Sequence, residues 1–131
     1  MKIVELIENT ERLAFDIGNN IKLVNRQYSI GQESDTWAVD YEDKIIGEIS
    51  LYFYSELKYP SINTIFIYDK NFRGIGLGRK IVNKLVGYYG GLCSDPQGVT
   101  SNDAVKMWIA LDAEKISTDK NTKGYYFQVE K

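Results

Sequence analysis

The chain has 131 residues, of which 44% are apolar and 26% charged, a balance typical of an ordinary globular protein rather than a disordered one. That length predicts a single domain over residues 1–131. Without histidine and with one cysteine, Cys93, the sequence excludes Ser-His and Cys-His nucleophile pairs and indicates no metal site. No apolar run is long enough to span a bilayer and no basic-then-apolar signal opens the chain, so we expect a cytoplasmic protein without membrane contact.

The charge is divided unevenly between the two halves of the chain. Residues 1–60 carry eleven acids against six bases, whereas residues 61–131 carry seven acids against ten bases. This asymmetry suits a C-terminal half that receives an anion and an N-terminal half that faces a cation. The bases are dispersed and the isoelectric point is about 5.2, which argues against a nucleic-acid partner.

The first half of the chain predicts short helical segments followed by an antiparallel hairpin. Residues 2–6 indicate a short strand, and residues 8–24 indicate one or two helical segments broken near residues 18–20. Strands over 36–41 and 45–54 are joined by a turn at 42–44. Alternation in the second strand assigns five residues to the core face, Ile45, Gly47, Ile49, Leu51 and Phe53, and places Glu48 on the opposite face.

The centre of the chain combines a buried strand, a glycine-rich turn and an amphipathic helix. The strand Ile65–Tyr68 leads into Arg73-Gly74-Ile75-Gly76-Leu77-Gly78-Arg79, and apolar residues then recur at helical spacing, namely Leu77, Ile81, Val82, Leu85 and Val86. Alternate glycines let several backbone N–H groups converge on an anion at a helix N-terminus. The pattern G-x-G-x-x-G would need glycine at Arg79, and the Walker pattern would need Gly-Lys where Arg79-Lys80 stands, so both motifs are disfavoured.

The remaining residues predict a strand, a helix and two closing strands. Residues 92–94 form the strand, and Thr100 or Ser101 caps a helix whose core face contains Ala104, Met107, Trp108 and Leu111. Residues 115–118 and 125–130 form the closing strands.

Three features resemble the GCN5-related N-acetyltransferases (GNAT). The turn Arg73-Gly74-Ile75-Gly76-Leu77-Gly78 matches their acetyl-coenzyme A signature R/Q-x-x-G-x-G/A, and the element order matches theirs over nearly the whole chain. Ser101-x-x-Ala104-x-x-Met107-Trp108 is similar to their N-x-x-A-x-x-L-Y, and residues 94–101 resemble a variant in small phage or prophage members. The resemblance implies an α/β (α+β) fold with a mixed, mostly antiparallel sheet of about six or seven strands and about four helices.

The same resemblance implies acetyl-coenzyme A as cosubstrate, no metal, and direct attack of an amine on the thioester. The acceptor is either a small-molecule amine or an amino group of a protein. The implied coenzyme-binding residues are Ile67, Tyr68, Arg73, Gly74, Ile75, Gly76, Leu77, Gly78, Arg79, Ser101 and Trp108. A backbone N–H at Ile67 or Tyr68 is the implied donor to the thioester oxygen.

The catalytic side chains depart from the family pattern. Many members carry a glutamate on the strand that here runs from Asn63 to Tyr68, but this strand has none, and Glu48 on the neighbouring strand becomes the candidate base. The competing interpretation of Glu48 is a solvated residue on a polar face. Trp108 replaces a tyrosine that is thought to protonate the leaving thiolate, so it can only shape the pocket. The alternative function is therefore binding of coenzyme A or of a partner by a GNAT-fold protein without turnover.

Overall fold

The computed structural model describes residues 13–26, 34–95, 102–117 and 125–131. They form one eight-stranded sheet in the order β1-β2-β3-β4-β5-β6-β8-β7. The strands are β1 Ala14–Gly18, β2 Ile21–Asn25, β3 Ser34–Tyr41, β4 Lys44–Tyr52, β5 Ser61–Ile67, β6 Gly91–Cys93, β7 Glu114–Ile116 and β8 Tyr126–Glu130. The helices are α1 Leu77–Tyr89 and α2 Asn102–Ala110, and a single 3-10 turn spans Lys70–Phe72.

The predicted class is confirmed as a mixed α/β fold whose sheet is mostly antiparallel, with β5 and β6 as the parallel pair among the described strands. The element counts were wrong. The sheet has eight strands rather than six or seven, and the described residues contain two α-helices rather than about four. The strand predicted over residues 2–6 lies outside the described residues.

The helical segments predicted across residues 8–24 are replaced, where the chain is described, by the β1–β2 hairpin. Asn19 and Asn20 adopt φ values of 55° and 64°, and Gly18 has φ 95°. Asparagine tolerates this left-handed conformation, which two-residue hairpin turns require. The residues interpreted as a break between helices are therefore the turn that joins two strands.

The predicted hairpin of β3 and β4 is present, but bulges shift the alternation of the neighbouring strands. Val39 pairs with Gly47 and Asp40 with Ile45, so Ile46 is an extra residue in β4. Ile46 is consequently 1% exposed, whereas Ile45, which was predicted to face the core, is 42% exposed. Phe53 was assigned to the core face as well, but it lies beyond the end of β4 and is also 42% exposed.

A second bulge lies between β4 and β5. Ser50 pairs with Thr64 and Leu51 with Ile62, so Asn63 is the extra residue of β5. Between the pair Tyr52–Ser61 and the pair Gly47–Ile67, β5 therefore contains one residue more than β4.

Both described helices contribute to the core on one side of the sheet, which we call the helix face. The predicted apolar face of α1 is confirmed, because Leu77, Ile81, Val82, Leu85 and Val86 are all buried. Trp108 of α2 joins the same cluster, and Ala104, Met107 and Leu111 pack against it. The opposite side of the sheet, which we call the far face, carries Glu48, Phe66 and Tyr68 by alternation along β4 and β5.

A partly buried hydrogen-bond network ties the C-terminus of α1 to the sheet. The Tyr89 hydroxyl donates to Asp35 Oδ2, and Trp37 Nε1 donates to the Tyr89 oxygen at 2.9 Å. Asn25 Nδ2 donates to Asp35 Oδ1 at 2.9 Å. Burial, followed by the bond to Asp35, raises the pKa of Tyr89 well above its usual value, so the phenol stays protonated and remains a donor.

Candidate active site

Strand β5 has one fully bonded edge and one open edge. Its pairing with β4 extends from Ile67 with Gly47 to Ser61 with Tyr52. Its pairing with β6 is limited to Ser61 and Cys93, where Cys93 N–H donates to the Pro60 carbonyl at 2.8 Å. The chain after β6 then follows β8. In the described part of the chain, the edge of β5 from Ile62 to Ile67 therefore borders a gap between β5 and β6, which we call the cleft.

The bonded edge determines which amides face the cleft. The N–H of Tyr68 donates to the Ile46 carbonyl of β4 at 2.7 Å. Successive amides of an extended strand point to opposite edges, so the N–H of Ile67 points towards the cleft and that of Tyr68 does not. Of the two oxyanion donors that were predicted, the geometry favours Ile67. Its contact with a thioester stays a prediction.

The loop after β5 is tied back to the strand by its own side chains. Asp69 accepts a hydrogen bond from the Asn71 N–H at 3.0 Å and so caps the 3-10 turn. Arg73 Nε donates to the Ile67 carbonyl at 2.9 Å, and its guanidinium lies 5.9 Å from the centre of the Phe66 ring. These contacts give Arg73 a role in holding the loop. Its predicted contact with the coenzyme stays a prediction.

The glycines of the loop lead into an uncapped helix. Gly74 and Gly76 have φ values of 74° and 78°, and a Cβ built on either glycine would meet no atom within 4 Å. Gly76 is the N-cap of α1 and supplies no capping side chain. The first-turn amides of α1, which belong to Leu77, Gly78 and Arg79, have no acceptor within the helix. This arrangement has the geometry of an anion site at a helix N-terminus.

The other predicted residues of the loop differ in which of their atoms are exposed to a ligand. The Leu77 side chain is 4% exposed in the core, so only its backbone is available to a ligand. Ile75 is 55% exposed, and the side chain of Arg79 is also exposed. Gly78 lies within α1, where an added Cβ would make ordinary contacts with Met107 and Ile65 at 3.8 and 4.0 Å.

Glu48 lies on the far face beside the mouth of the cleft. It is half-buried and pairs with Phe66, the residue before Ile67. Partial desolvation, and then hydrogen bonding to the Glu48 carboxylate, raise the pKa of Tyr68, while the charge of Arg26 opposes this effect. Glu48 and the Tyr68 side chain thus lie on the same face of the sheet, next to the amide that faces the cleft. The sequence predicted a role only for the backbone of Tyr68, although alternation along β5 already indicated that its side chain shares a face with Phe66.

Sequence reasoning missed an acidic residue at the closed end of the cleft. Asp95 follows β6 and is half-buried, and desolvation raises its pKa to about 6. Its charge also helps to raise the pKa of Tyr54 and of Tyr126, after the larger effect of their own desolvation. The sequence had indicated only a loop here, although an acid placed directly after a buried strand was a usable signal. Nearby, burial raises the pKa of the Cys93 thiol to about 12, which excludes a thiolate nucleophile at neutral pH.

One predicted coenzyme contact, Trp108 on α2, is not brought to the cleft by the described atoms. The other, Ser101, lies outside the described residues. Trp108 is 2% exposed and packs in the core with Phe127 and the buried face of α1. Its indole therefore has a packing role, and its contact with a coenzyme stays a prediction.

The described ranges contain neither a cluster of metal-ligating side chains nor a membrane-spanning helix. No group of three or more potential metal-ligating side chains occurs among these residues. Neither described helix has the length and apolar character needed to cross a bilayer.

Comparison with known proteins assigns the family. The model of the acetyltransferase (GNAT) family matches residues 3–94, which is more than half of the chain. The protein therefore belongs to the GNAT acetyltransferase family. This membership confirms the predicted class, an acyl-coenzyme A-dependent N-acetyltransferase. No curated protein matches the sequence.

Solved structures share the fold at low sequence identity. A GNAT family acetyltransferase from Elizabethkingia anophelis with acetyl-CoA bound is 13% identical at a TM-score of 0.60, covering 87% of this chain and 100% of that one. The N-acetyltransferase PseH of Campylobacter jejuni in complex with acetyl coenzyme A is 17% identical at 0.52, covering 76% and 70%. The aminoglycoside acetyltransferase AAC(6')-Ib with coenzyme A and kanamycin is 17% identical at 0.56, covering 76% and 67%.

Proposed function

We propose that this protein transfers the acetyl group of acetyl-coenzyme A to a primary amine by direct attack. The observation that carries the proposal is the open edge of β5, where the Ile67 N–H points into a cleft beside a left-handed glycine loop and an uncapped helix. The loop and helix amides from Arg73 to Arg79 would bind the pyrophosphate of the coenzyme. The Ile67 amide would bind the thioester oxygen as negative charge develops on it.

The burial pattern supports entry of the amine from the far face. On the helix face, the core beside β5 is filled by Ile62, Leu77 and Trp108, each of them at most 6% exposed. On the far face, Phe66 and Tyr68 are 50% and 47% exposed. A thioester lying along the open edge of β5 is therefore accessible to an amine on the side that carries Glu48.

In this reaction Glu48 accepts a proton from the ammonium form of the substrate, which frees the nitrogen lone pair. The nitrogen then forms a C–N bond to the acetyl carbon, and the C–S bond breaks as the thiolate leaves. The second proton of the attacking nitrogen passes to the thiolate through Glu48 or water, giving the amide and free coenzyme A. Tyr68, whose pKa responds to the Glu48 carboxylate, would help to hold that carboxylate in place.

The pyrophosphate site is tested by two identical substitutions at left-handed glycines. Gly76→Asn and Gly18→Asn both place a side chain in open space at positive φ, 78° and 95° respectively, a conformation that asparagine tolerates. Both variants should fold, with losses of about 1 kcal/mol in the free energy of unfolding. Only Gly76→Asn should weaken acetyl-coenzyme A binding, by at least about tenfold, or about 1.4 kcal/mol. Calorimetry measures the affinity and circular dichroism the fold.

Two results from this pair of variants would contradict the pyrophosphate assignment. Unchanged coenzyme affinity in a folded Gly76→Asn protein would remove the loop from the binding site. Equal losses of affinity in both variants would show that stability, rather than contact with the phosphates, controls binding.

The role of Glu48 is tested by Glu48→Gln, with Glu42→Gln in the exposed β3–β4 turn as the control. If Glu48 is the base, its loss should lower turnover by about 10²–10⁴-fold and remove the acidic limb of the pH–rate profile. The control should change neither. A Glu48→Gln enzyme with the normal rate and profile would assign proton removal to another group or to water.

One observation favours the alternative, a GNAT-fold protein that binds coenzyme A or a partner without turnover. Trp108 replaces the tyrosine of the family pattern and is buried in the core, so it supplies no acid to the leaving thiolate. Release of thiol from acetyl-coenzyme A with a panel of amines separates the two functions. Coenzyme binding without thiol release would establish the alternative.

A further inference from the structure

We propose that Phe66 is a specificity-determining residue that binds a ring of the acceptor, so that the preferred substrates are amines with an uncharged aromatic group close to the amino nitrogen. This inference rests on the proposed acetyl transfer and names the class of its acceptor. Phe66 and Tyr68 are the two chain neighbours of Ile67, whose amide would hold the thioester oxygen.

The side chains of Phe66 and Tyr68 form an aromatic wall on the far face. They are 50% and 47% exposed, and their ring centres are 5.3 Å apart. Ile65 and Ile67, which alternate with them along β5, pack against the core on the helix face instead. Single exposed apolar side chains are common on protein surfaces, but these two rings flank the amide at the open edge. An amine that approaches the thioester from the far face therefore passes along them.

The strand register sets the separation between the amino group and the ring of the acceptor. Glu48 pairs directly with Phe66 across β4 and β5, and directly opposed residues have Cβ atoms about 5 Å apart. Tyr68 is the diagonal neighbour of Glu48, at roughly 7–8 Å. An ammonium group beside the Glu48 carboxylate is therefore a short linker away from the Phe66 ring. The two-carbon linker of phenethylamine matches this separation.

Arg73 determines which charge the distal part of the acceptor can carry. Its guanidinium lies 5.9 Å from the centre of the Phe66 ring, and its Nε is held by the Ile67 carbonyl at 2.9 Å. A second ammonium group beside Phe66 would meet this positive charge, so diamines are disfavoured. An uncharged ring can instead make an offset or edge contact with Phe66. The far face thus suits one ammonium group near Glu48 and a neutral aromatic group near Phe66.

The test compares Phe66→Ala with Phe53→Ala, which removes the same side chain from a similarly exposed position beyond the end of β4. Binding of phenethylamine, ethylamine and tetramethylenediamine to the protein saturated with coenzyme A is measured by nuclear magnetic resonance titration. KM for each amine is measured with acetyl-coenzyme A. The wild-type protein should bind phenethylamine most tightly. Phe66→Ala should weaken phenethylamine binding about tenfold and remove most of its advantage over ethylamine, whereas Phe53→Ala should keep this advantage.

A second variant, Phe66→Leu, separates contact with the acceptor from support of the loop. Leucine retains much of the apolar surface but not the ring, so it should keep part of the preference for phenethylamine. Because Phe66 also contacts Arg73, a purely structural role would weaken all three amines to the same extent in both variants. Phe66→Leu also gives the same comparison of amines if Phe66→Ala does not fold.

Binding and turnover distinguish the two proposals. A preference for phenethylamine that depends on Phe66 supports the inference even if no amine is acetylated and the proposed activity fails. Equal weakening of phenethylamine and ethylamine, or an unchanged preference in the folded Phe66 variants, overturns it while leaving acetyl transfer intact. A wild-type protein that binds none of the three amines, or that prefers ethylamine or the diamine, also overturns it.

Discussion

The two edges of β5 are built from the same residues but have opposite roles. Along β4 the strand is paired from Ser61 to Ile67, whereas along β6 it is paired at Ser61 alone. The bonded edge allows almost no extra volume, as Gly47 shows, while the open edge leaves the Ile67 amide pointing into a cleft. The bonded edge thus orients the amides of the open one. Three substitutions test this division of roles, one at the bonded edge, one beside the open edge, and one distant from both as a reference.

The largest effect is expected at the bonded edge, from Gly47→Ala. A Cβ at Gly47 would lie 2.5 Å from the Phe66 carbonyl oxygen and 2.9 Å from Ile67 Cδ1, so the strands must separate. We expect a loss of about 3 kcal/mol in the free energy of unfolding, measured by urea denaturation. The control Gly87→Ala, on the exposed side of α1, meets no atom within 4 Å and should gain up to about 1 kcal/mol. Unchanged stability in Gly47→Ala would show that this edge tolerates expansion.

An intermediate effect is expected from Tyr89→Phe, far from the cleft. The change removes the hydroxyl that donates to the buried Asp35 carboxylate and accepts from Trp37. A buried charged acceptor that loses its donor costs about 2 kcal/mol. Tyr88→Phe, at a neighbouring side chain that is 43% exposed, should stay within about 0.5 kcal/mol. Thermal unfolding measures both variants. Coenzyme affinity should not change in either, and a loss of affinity in Tyr89→Phe would couple the network to the cleft.

The smallest effect is expected beside the open edge, where Asp95→Asn should stabilise the protein in a pH-dependent manner. Burial raises the pKa of Asp95 from 3.8 to about 6, so the native state holds the proton more tightly than the unfolded state. The resulting penalty is fully present above pH 6 and disappears as the pH falls below 3.8. Because the group is half-exposed, screening reduces the gain to about 1 kcal/mol at neutral pH. Melting temperatures of the wild type and the variant below pH 3.8 and above pH 6 measure this gain in stability. A gain that does not vary with pH would show that it does not come from the raised pKa of Asp95.

The sequence predicted the elements whose periodicity is continuous. The apolar spacing of α1, the β3–β4 hairpin and the strand before the glycine turn are all present, and the motif at residues 73–78 led to the correct family. The β1–β2 hairpin was missed because its strands are short and its asparagine turn also resembles a helix break. The exposure of Ile45 was missed because the bulge at Ile46 depends on pairing with β3, which is a tertiary property.

In the candidate site, too, some features could be predicted from the sequence and others depend on tertiary structure. Glycines that need positive φ are visible in the sequence, so the left-handed backbone at Gly74 and Gly76 could be predicted. The choice between the amides of Ile67 and Tyr68 depends on which of them bonds to Ile46, and no local pattern contains that information. Asp95 was missed because its environment is assembled from the ends of β4, β6 and β8.

The extra residue at Asn63 acts as a spacer within β5. Between the anchor at Ser61 and the amide of Ile67, β5 takes six steps while β4 takes five. Deleting Asn63 would restore one-to-one pairing with β4, and the Ile67 amide would still point into the cleft. Because a bulge bends its strand and increases the local twist, the spacer affects the direction in which β5 diverges from β6 rather than the identity of the amide at the open edge.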